Sequence, residues 1–244
     1  MIASTLRSAL APTGKLRIGI NHGNPVLASR DSNSGELRGV AVDLARELGR
    51  RTELTVEIVP FESAGTMFDA VKVGAWDIAF LAIDPNRAEE VDFAPAYVEI
   101  EGTYLVPKDA PYRTVDEVDR AGVRIGVSGK SAYDLFLART IQHAQLVRAT
   151  SPNSAFDLIA TGKVDVLAGV RQHLEAHAAK DPKWRVFGGR FMAIQQAVGI
   201  VKGRGEAVKY LRDFVEDVKA SGFVAEAIER AGVRGVSIAP PAAK

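Results

Sequence analysis

The sequence FDAVKVGAWDIA at residues 68–79 returns as FDLIATGKVDVL at residues 156–167. Both copies follow the pattern F-D-x-[V/I]-x-x-G-x-x-D and lead into an apolar run. The pattern predicts an amphipathic helix, a glycine that ends it, an acidic residue at a strand entrance and then a buried strand. Two such segments far apart in one chain predict two similar α/β lobes with a ligand between them.

Strands and helices alternate on both sides of the two copies, which predicts mostly parallel sheets with right-handed crossovers. Before the first copy we expect a helix at 40–48 that stops at Gly49, and a strand at 54–59 that ends at Pro60. After it, Asp84 and Pro85 predict the start of a helix. At the end of the chain, the proline-rich segment 239–241 is interpreted as a tail.

The composition excludes several classes of function. The net charge is +1, from 31 basic and 30 acidic residues, so neither a nucleic-acid partner nor an acidic membrane surface is indicated. The absence of cysteine excludes disulfides, thiolate metal sites and cysteine nucleophiles. No apolar run approaches the roughly 18 residues of a membrane span, so no direct membrane insertion is expected.

The first eleven residues do not read as a secretion signal, because Arg7 interrupts them and apolar side chains recur only at Ile2, Leu6 and Leu10. Two interpretations stay open from the sequence. Either a signal was removed from the chain, or the protein stays in the cytoplasm.

Three motifs in fixed order resemble the type II periplasmic binding proteins, specifically the family-3 extracellular solute-binding proteins of ABC importers. The motifs are Gly39-x-x-x-Asp43-Leu44-Ala45, Gly74-x-x-Asp77, and Arg87-x-x-x-Val91-Asp92-Phe93-x-x-x-Tyr97. The resemblance runs from about residue 15 to residue 230. Of the three, the string from Arg87 to Tyr97 is the most specific.

The resemblance implies two α/β lobes joined by a two-strand hinge. Lobe 1 would hold residues 1–98 and 197–244, and lobe 2 would hold residues 99–196. The protein would be a periplasmic, monomeric, non-enzymatic receptor that closes on a small anionic or zwitterionic organic solute and delivers it to an ABC permease. Hinge closure is a known motion of periplasmic binding proteins, and no cofactor is expected.

Arg87 is the first candidate for a solute contact. In the family the matching arginine forks onto the ligand carboxylate, which suits guanidinium geometry. The alternative is a surface arginine that pairs with Glu90 or Asp92. Phe61 matches the family's aromatic wall, and a core phenylalanine is its alternative.

Further candidates lie on loops where the chain departs from the family. The first loop has Asn21 and His22 where an aromatic residue is usual, so the pocket is expected to be more polar there. Gln196 lies at the second lobe crossing, where the family often places polar contacts.

A third group of candidates follows the strand predicted at residues 123–127. Gly129, Lys130 and Ser131 stand at a predicted helix start that could receive an anion. A phosphate-binding loop of the Walker type is rejected, because Arg124 occupies the position that requires glycine.

The second copy also departs from the family's amino-acid pattern. Amino-acid binders carry an aspartate five residues after the repeat aspartate, where it holds the α-ammonium group. Val170 stands there in this chain, and Arg171 follows as a further candidate for the solute. The connection from Asp77 to Arg87 is also two residues shorter than usual. Both departures favour a solute without a cationic amine.

No metal site is predicted. His173 and His177 have a spacing that can bind zinc, but no third ligand is visible, and a surface pair is the preferred interpretation. No catalytic residue is assigned.

Two other functions stay open from the sequence. One is a lyase of the cyclohexadienyl dehydratase kind on the same fold, in which Glu101 or Glu175 would have to supply the acid. The other is a ligand-sensing module that signals to a partner.

Overall fold

A computed structural model describes residues 2–242. Its strands, numbered in chain order, are β1 (Leu16–Asn21), β2 (Ser29–Arg30), β3 (Leu37–Arg38), β4 (Val56–Phe61), β5 (Ile78–Ala82), β6 (Val91–Pro107), β7 (Arg124–Ser128), β8 (Gln145–Ala149), β9 (Val166–Val170), β10 (Trp184–Val186), β11 (Met192–Val201) and β12 (Ser237–Ile238).

The α-helices are α1 (Ser4–Leu10), α2 (Val40–Thr52), α3 (Ala64–Asp69), α4 (Ala132–Thr140), α5 (Pro152–Ala160), α6 (Arg171–Lys180), α7 (Gly205–Ala220) and α8 (Phe223–Arg230). Short 3-10 turns cover Ala70–Val73, Arg87–Glu89 and Val115–Glu117. None of the helices in the described part of the chain is long and apolar enough to cross a bilayer.

The chain divides into two compact units. The first unit contains residues 1–62, 66–99 and 195–244, and the second contains residues 63–65 and 100–194. Two long strands change unit along their length: β6 between residues 99 and 100, and β11 between residues 194 and 195.

The two units have sheets of the same topology. In the first unit the order is β4-β1-β5-β11, where β1 runs parallel to β4 and β5, and β11 runs antiparallel to β5. In the second unit the order is β8-β7-β9-β6, where β7 runs parallel to β8 and β9, and β6 runs antiparallel to β9. The α/β fold class with similar lobes and mainly parallel sheets is therefore confirmed.

An arginine–aspartate pair explains the acidic residue in each copy of the repeat. Arg17 on β1 grips the Asp77 carboxylate through Nε at 2.8 Å and Nη2 at 3.0 Å. Arg124 on β7 grips Asp165 in the same way, at 3.0 and 2.9 Å. Each arginine also donates to the carbonyl oxygen of the repeat glycine, Gly74 or Gly162. The aspartates therefore join β1 to β5 in the first unit and β7 to β9 in the second.

A second phrase repeats together with the first. Arg17-Ile18-Gly19 and Arg124-Ile125-Gly126 are identical triplets. A Cβ added to Gly19 would lie 3.2 Å from the Trp76 ring, and one added to Gly126 would lie 3.1 Å from Val164. These glycines leave room for the side chain that precedes the repeat aspartate.

Two expected element ends are wrong. Helix α2 passes through Gly49 and ends at Thr52, with Glu53 in the left-handed conformation as its cap. A Cβ on Gly49 would lie 2.4 Å from Val56 Cγ2, so this glycine serves helix–strand packing instead of termination. Pro60 lies within β4, opposite Ile20. Proline is tolerated there because β4 is an edge strand.

The C-terminal segment is more than a tail. Strand β12 pairs with Val98 and Glu99 of β6, and the Ala239 N–H donates to the Tyr97 carbonyl oxygen. The Lys219 ammonium holds the Pro240 carbonyl at 2.9 Å. The segment is therefore packed on the first unit.

Candidate functional site

In the first unit, the candidate residues gather at one edge of the sheet. Strands β1, β4 and β5 are parallel, so their carboxyl ends share this edge. Asn21 pairs with Phe61 at the ends of β1 and β4. Gln196, in the middle of antiparallel β11, pairs with Ala82 at the end of β5. Ligands of open α/β sheets bind at such carboxyl edges.

Arg87 follows β5 on a tight turn. The turn is built by Asp84, whose side chain accepts the Asn86 N–H at 2.9 Å and whose carbonyl accepts the N–H groups of Arg87 and Ala88. The helix expected after Asp84 and Pro85 is a single 3-10 turn over Arg87–Glu89.

The Arg87 side chain is buried, with 1% of the residue exposed. Its Nη1 donates to the Ala82 carbonyl oxygen at 2.9 Å. Burial lowers the pKa of the guanidinium to about 10, against the opposing effect of the Asp84 carboxylate. The alternative of a surface arginine is therefore wrong, and a strongly desolvated cation lies at the carboxyl edge.

Asn21, His22 and Phe61 stand beside one another on the neighbouring strand ends. The buried Asn21 side chain accepts the Gly23 N–H at 3.0 Å, and the His22 N–H donates to the Phe61 carbonyl oxygen. Burial, followed by the nearby charge of Arg30, lowers the pKa of His22. Phe61 is half-buried. This part of the edge therefore offers a neutral imidazole and an aromatic face.

Gln196 has a buried acceptor atom. The residue is 4% exposed, and its Oε1 has no hydrogen-bond partner among the described residues. A buried polar atom left in this state costs about 1–3 kcal/mol. A donor supplied from outside the chain would remove that cost.

In the second unit, Gly129, Lys130 and Ser131 lie together between β7 and α4. The Gly129 N–H donates to the Ala149 carbonyl oxygen, which ties the loop to the end of β8. Ser131 is the N-cap of α4, and its hydroxyl accepts the Asp134 N–H at 3.1 Å. Lys130 is in the left-handed conformation (φ 57°) and its side chain is exposed.

Asp134 holds this loop in place, and sequence reasoning missed it. Its buried carboxylate accepts the Lys130 N–H at 2.7 Å and is paired with Arg148 Nε at 2.9 Å. The bond to the Lys130 amide fixes a backbone conformation that a non-glycine residue rarely adopts. The signal was available, because Ser131-x-x-Asp134 has capping-box spacing.

Arg171 begins α6 directly after β9, and its donors already have acceptors in the second unit. Nε lies 2.5 Å from Glu101 Oε2, and Nη1 donates to the Phe187 carbonyl oxygen at 2.8 Å. Nη2 donates to the carbonyl oxygens of Gly188 and Gly189, at 3.1 and 2.9 Å. The preceding Val170 is buried and pairs with Gly102.

The two histidines of α6 form an aromatic group with α5. The ring of His177 stacks on Phe156 at 3.6 Å between centroids, and His173 meets His177 edge-on at 4.8 Å. Burial, followed by the charge of His177, lowers the pKa of His173 to about 4. His173 is therefore a packed neutral residue and not the surface residue that was expected.

Comparison with known proteins identifies the family. The family model for bacterial extracellular solute-binding proteins, family 3, matches residues 16–232. The chain belongs to this family. The resemblance inferred from the three motifs is thus confirmed.

Individual members are distant from this solute-binding protein in sequence. The ABC transporter glutamine-binding protein GlnH of Bacillus subtilis is 20% identical, over 88% of this chain and 80% of its own. A probable histidine-binding protein of Neisseria gonorrhoeae is 24% identical, over 88% of this chain and 84% of its own.

Solved structures share the fold. A solute receptor for L-cysteine from Neisseria gonorrhoeae has a TM-score of 0.80 at 23% identity, over 94% of this chain and 93% of its own. The ancestral amino-acid-binding protein AncCDT-1, described as a precursor of cyclohexadienyl dehydratase, has a TM-score of 0.76 at 23% identity, over 93% of this chain and 99% of its own. The type II periplasmic-binding-protein fold is confirmed by these likenesses.

Proposed function

We propose that this protein is the receptor of an ABC importer and binds a small organic carboxylate. The two compact units would act as its two lobes, with β6 and β11 as the hinge strands, and would close on the solute. The partner would be an ABC permease, and the receptor would work as a monomer outside the cytoplasmic membrane. Membership of the solute-binding family supports this proposal.

The observation that carries the proposal is the buried Arg87 cation. Burial disfavours the charged guanidinium more than the Asp84 carboxylate favours it, so a carboxylate that reached it would add a favourable interaction. Arg87 lies at the carboxyl edge, where ligands of such sheets bind. A carboxylate suits the planar fork of its donors. The relatives named for glutamine, histidine and L-cysteine are named for molecules that carry a carboxylate.

Two features of the second unit favour a solute that lacks an ammonium group. Val170, which is apolar and buried, stands where amino-acid binders carry their aspartate. The neighbouring Glu101 carboxylate is engaged by Arg171 at 2.5 Å and lies 3.7 Å from Arg190. Neither residue offers an uncompensated anion to an amine, and burying an unpaired ammonium is expensive. A solute with an amide or hydroxyl donor would also satisfy Gln196.

A thermal-shift screen tests the proposal. The panel contains α-amino acids, mono- and dicarboxylic acids, and neutral amides. A ligand at 100 times its dissociation constant adds about 2.7 kcal/mol to stability, which a melting curve resolves. We expect the largest shifts from carboxylates without an α-amine, and loss of those shifts in Arg87→Met.

The matched control is Arg46→Met, which removes an exposed arginine of the same unit. It should keep the wild-type shifts. Large shifts from ordinary α-amino acids that survive Arg87→Met would contradict the proposed site.

The lyase alternative rests on the fold likeness to AncCDT-1. Such chemistry needs a positioned acid with a tuned pKa. Glu101 and Glu175 both lie within ion-pair distance of Arg171, at 2.5 and 3.6 Å. Turnover of prephenate or arogenate by the purified protein would favour the lyase, whereas recovery of unchanged ligand would favour the receptor.

A further inference from the structure

Arg171 connects three separate segments of the second unit. Besides its bond to Glu101 on β6, it holds three successive carbonyl oxygens, from Phe187 to Gly189, on the segment that leads into β11. The side chain is 14% exposed. With four acceptors on one guanidinium, few donors are left for anything else.

The segments joined by Arg171 lie in the second unit, next to the points where β6 and β11 change unit. Glu101 is the second residue of β6 inside the second unit, and Phe187–Arg190 precedes β11, which starts at Met192. Thr103 adds a further bond, from Oγ1 to the Gly189 carbonyl oxygen at 2.7 Å. The Phe191 N–H donates to the Gly102 carbonyl oxygen at 3.0 Å.

The segment before β11 depends on such bonds for its order. Gly188 and Gly189 have no side chains, and a Cβ built on Gly188 would meet no atom within 4 Å. Adjacent glycines lose more conformational entropy on ordering than other residues do. The rings of Phe187 and Phe191 pack against Tyr104 on either side, but no side chain packs on Gly188 itself. At this point the order therefore depends on the carbonyl bonds to Arg171 and Thr103.

We propose that Arg171 is a positioning residue. It fixes β6 and the segment before β11 inside the second unit, next to the points where these strands change unit, and so sets how freely the two units move. This inference rests on the proposed function, in which hinge motion matters. It assigns Arg171 an indirect role in place of the direct solute contact expected from the sequence. In that role, Glu101 on β6 is the carboxylate to which Arg171 is anchored.

Hydrogen exchange without any solute tests the local part of the proposal. In Arg171→Lys and in Glu101→Ala, the amides of Phe187 and Phe191 should exchange about tenfold faster, because a lysine cannot span four acceptors and an alanine removes the anchor. Arg190→Ala is the matched control, since Arg190 is exposed and lies 3.7 Å from Glu101. It should exchange like the wild type, as should the β7 amides in every variant.

The distance distribution between the units tests the hinge. The chain has no cysteine, so Lys72→Cys and Lys163→Cys, both exposed and one in each unit, allow clean labelling for single-molecule fluorescence transfer. The distribution should widen in Arg171→Lys and Glu101→Ala but not in Arg190→Ala. Wild-type exchange at Phe187 and Phe191, or an unchanged distance distribution in both Arg171→Lys and Glu101→Ala, would overturn the proposal. Because no solute is used, these outcomes are independent of the proposed ligand.

Discussion

Replacing Arg87 by methionine should separate stability from binding. Burial lowers the pKa of this guanidinium from its ordinary value of 12.5 to about 10. That difference corresponds to a net penalty of about 3 kcal/mol on the charged form, after the opposing attraction of the Asp84 carboxylate. Methionine has a similar length and removes the charge, but it also removes the bond to the Ala82 carbonyl oxygen. Such a charged hydrogen bond contributes about 1.5–3 kcal/mol. Methionine also leaves the buried Asp84 carboxylate without the attraction of Arg87. Because these effects oppose one another, we expect the free energy of unfolding of the ligand-free protein to change by no more than about 2 kcal/mol.

The assay is urea unfolding that reports the first unit alone. Trp76 is buried there, with its indole N–H on the Met67 carbonyl oxygen at 2.7 Å, while Trp184 lies in the second unit. In a Trp184→Phe background the fluorescence therefore follows Trp76. Ligand-induced stabilisation should disappear in the same variant. A loss of more than about 2 kcal/mol without ligand, together with a wild-type ligand response, would refute the reasoning and make Arg87 a structural residue.

Three further predictions concern His173, Asp134 and Gly49. His173 has a folded-state pKa of about 4 against an ordinary 6.5, so as the pH falls the unfolded chain binds a proton at this residue before the folded protein does. The free energy of unfolding should therefore fall by about 2 kcal/mol from about pH 7.5 to pH 5. Urea titrations should show a weaker pH dependence in His173→Gln. Asp134→Ala should loosen the left-handed turn at Lys130, measured as at least about tenfold faster amide exchange there; unchanged exchange would mean that the carboxylate does not hold the loop. Gly49→Ala should lower the melting temperature by crowding Val56, at a cost of about 1–3 kcal/mol, and Val56→Ala in the same chain should recover part of the loss; a more stable single variant would show that helix propensity outweighs the contact.

The fold was largely predictable because local patterns and tertiary packing agree. The repeated aspartate and glycine encode a helix end and a strand entrance, and both units use them in the same way, through Arg17 and Arg124. The errors arise where tertiary contacts change a residue's usual meaning. Gly49 is a packing glycine because Val56 lies against it, and Pro60 is harmless because its strand is at an edge.

The candidate site was less predictable, because burial and hydrogen bonding do not follow from residue type. Gln196 is placed by the pairing of β5 with β11, which joins residues far apart in the chain, and Arg87 reaches back to the Ala82 carbonyl oxygen at the end of β5. The acceptors of Arg171 lie on two other segments, so sequence alone could not show that its donors are engaged. Asp134 is the exception, since its capping position was visible from Ser131.

A calorimetric titration of matched solutes shows whether the site prefers a carboxylate that lacks an α-ammonium group. The strongest carboxylate from the thermal screen is compared with its counterpart that differs only by an α-ammonium group, as glutarate differs from L-glutamate. We expect the acid without the amine to bind the wild-type protein at least about tenfold more tightly, because the amine would be desolvated without a partner, and we expect Arg87→Met to bind neither solute. Tighter binding of the α-amino acid, retained in Arg87→Met, would contradict this expectation.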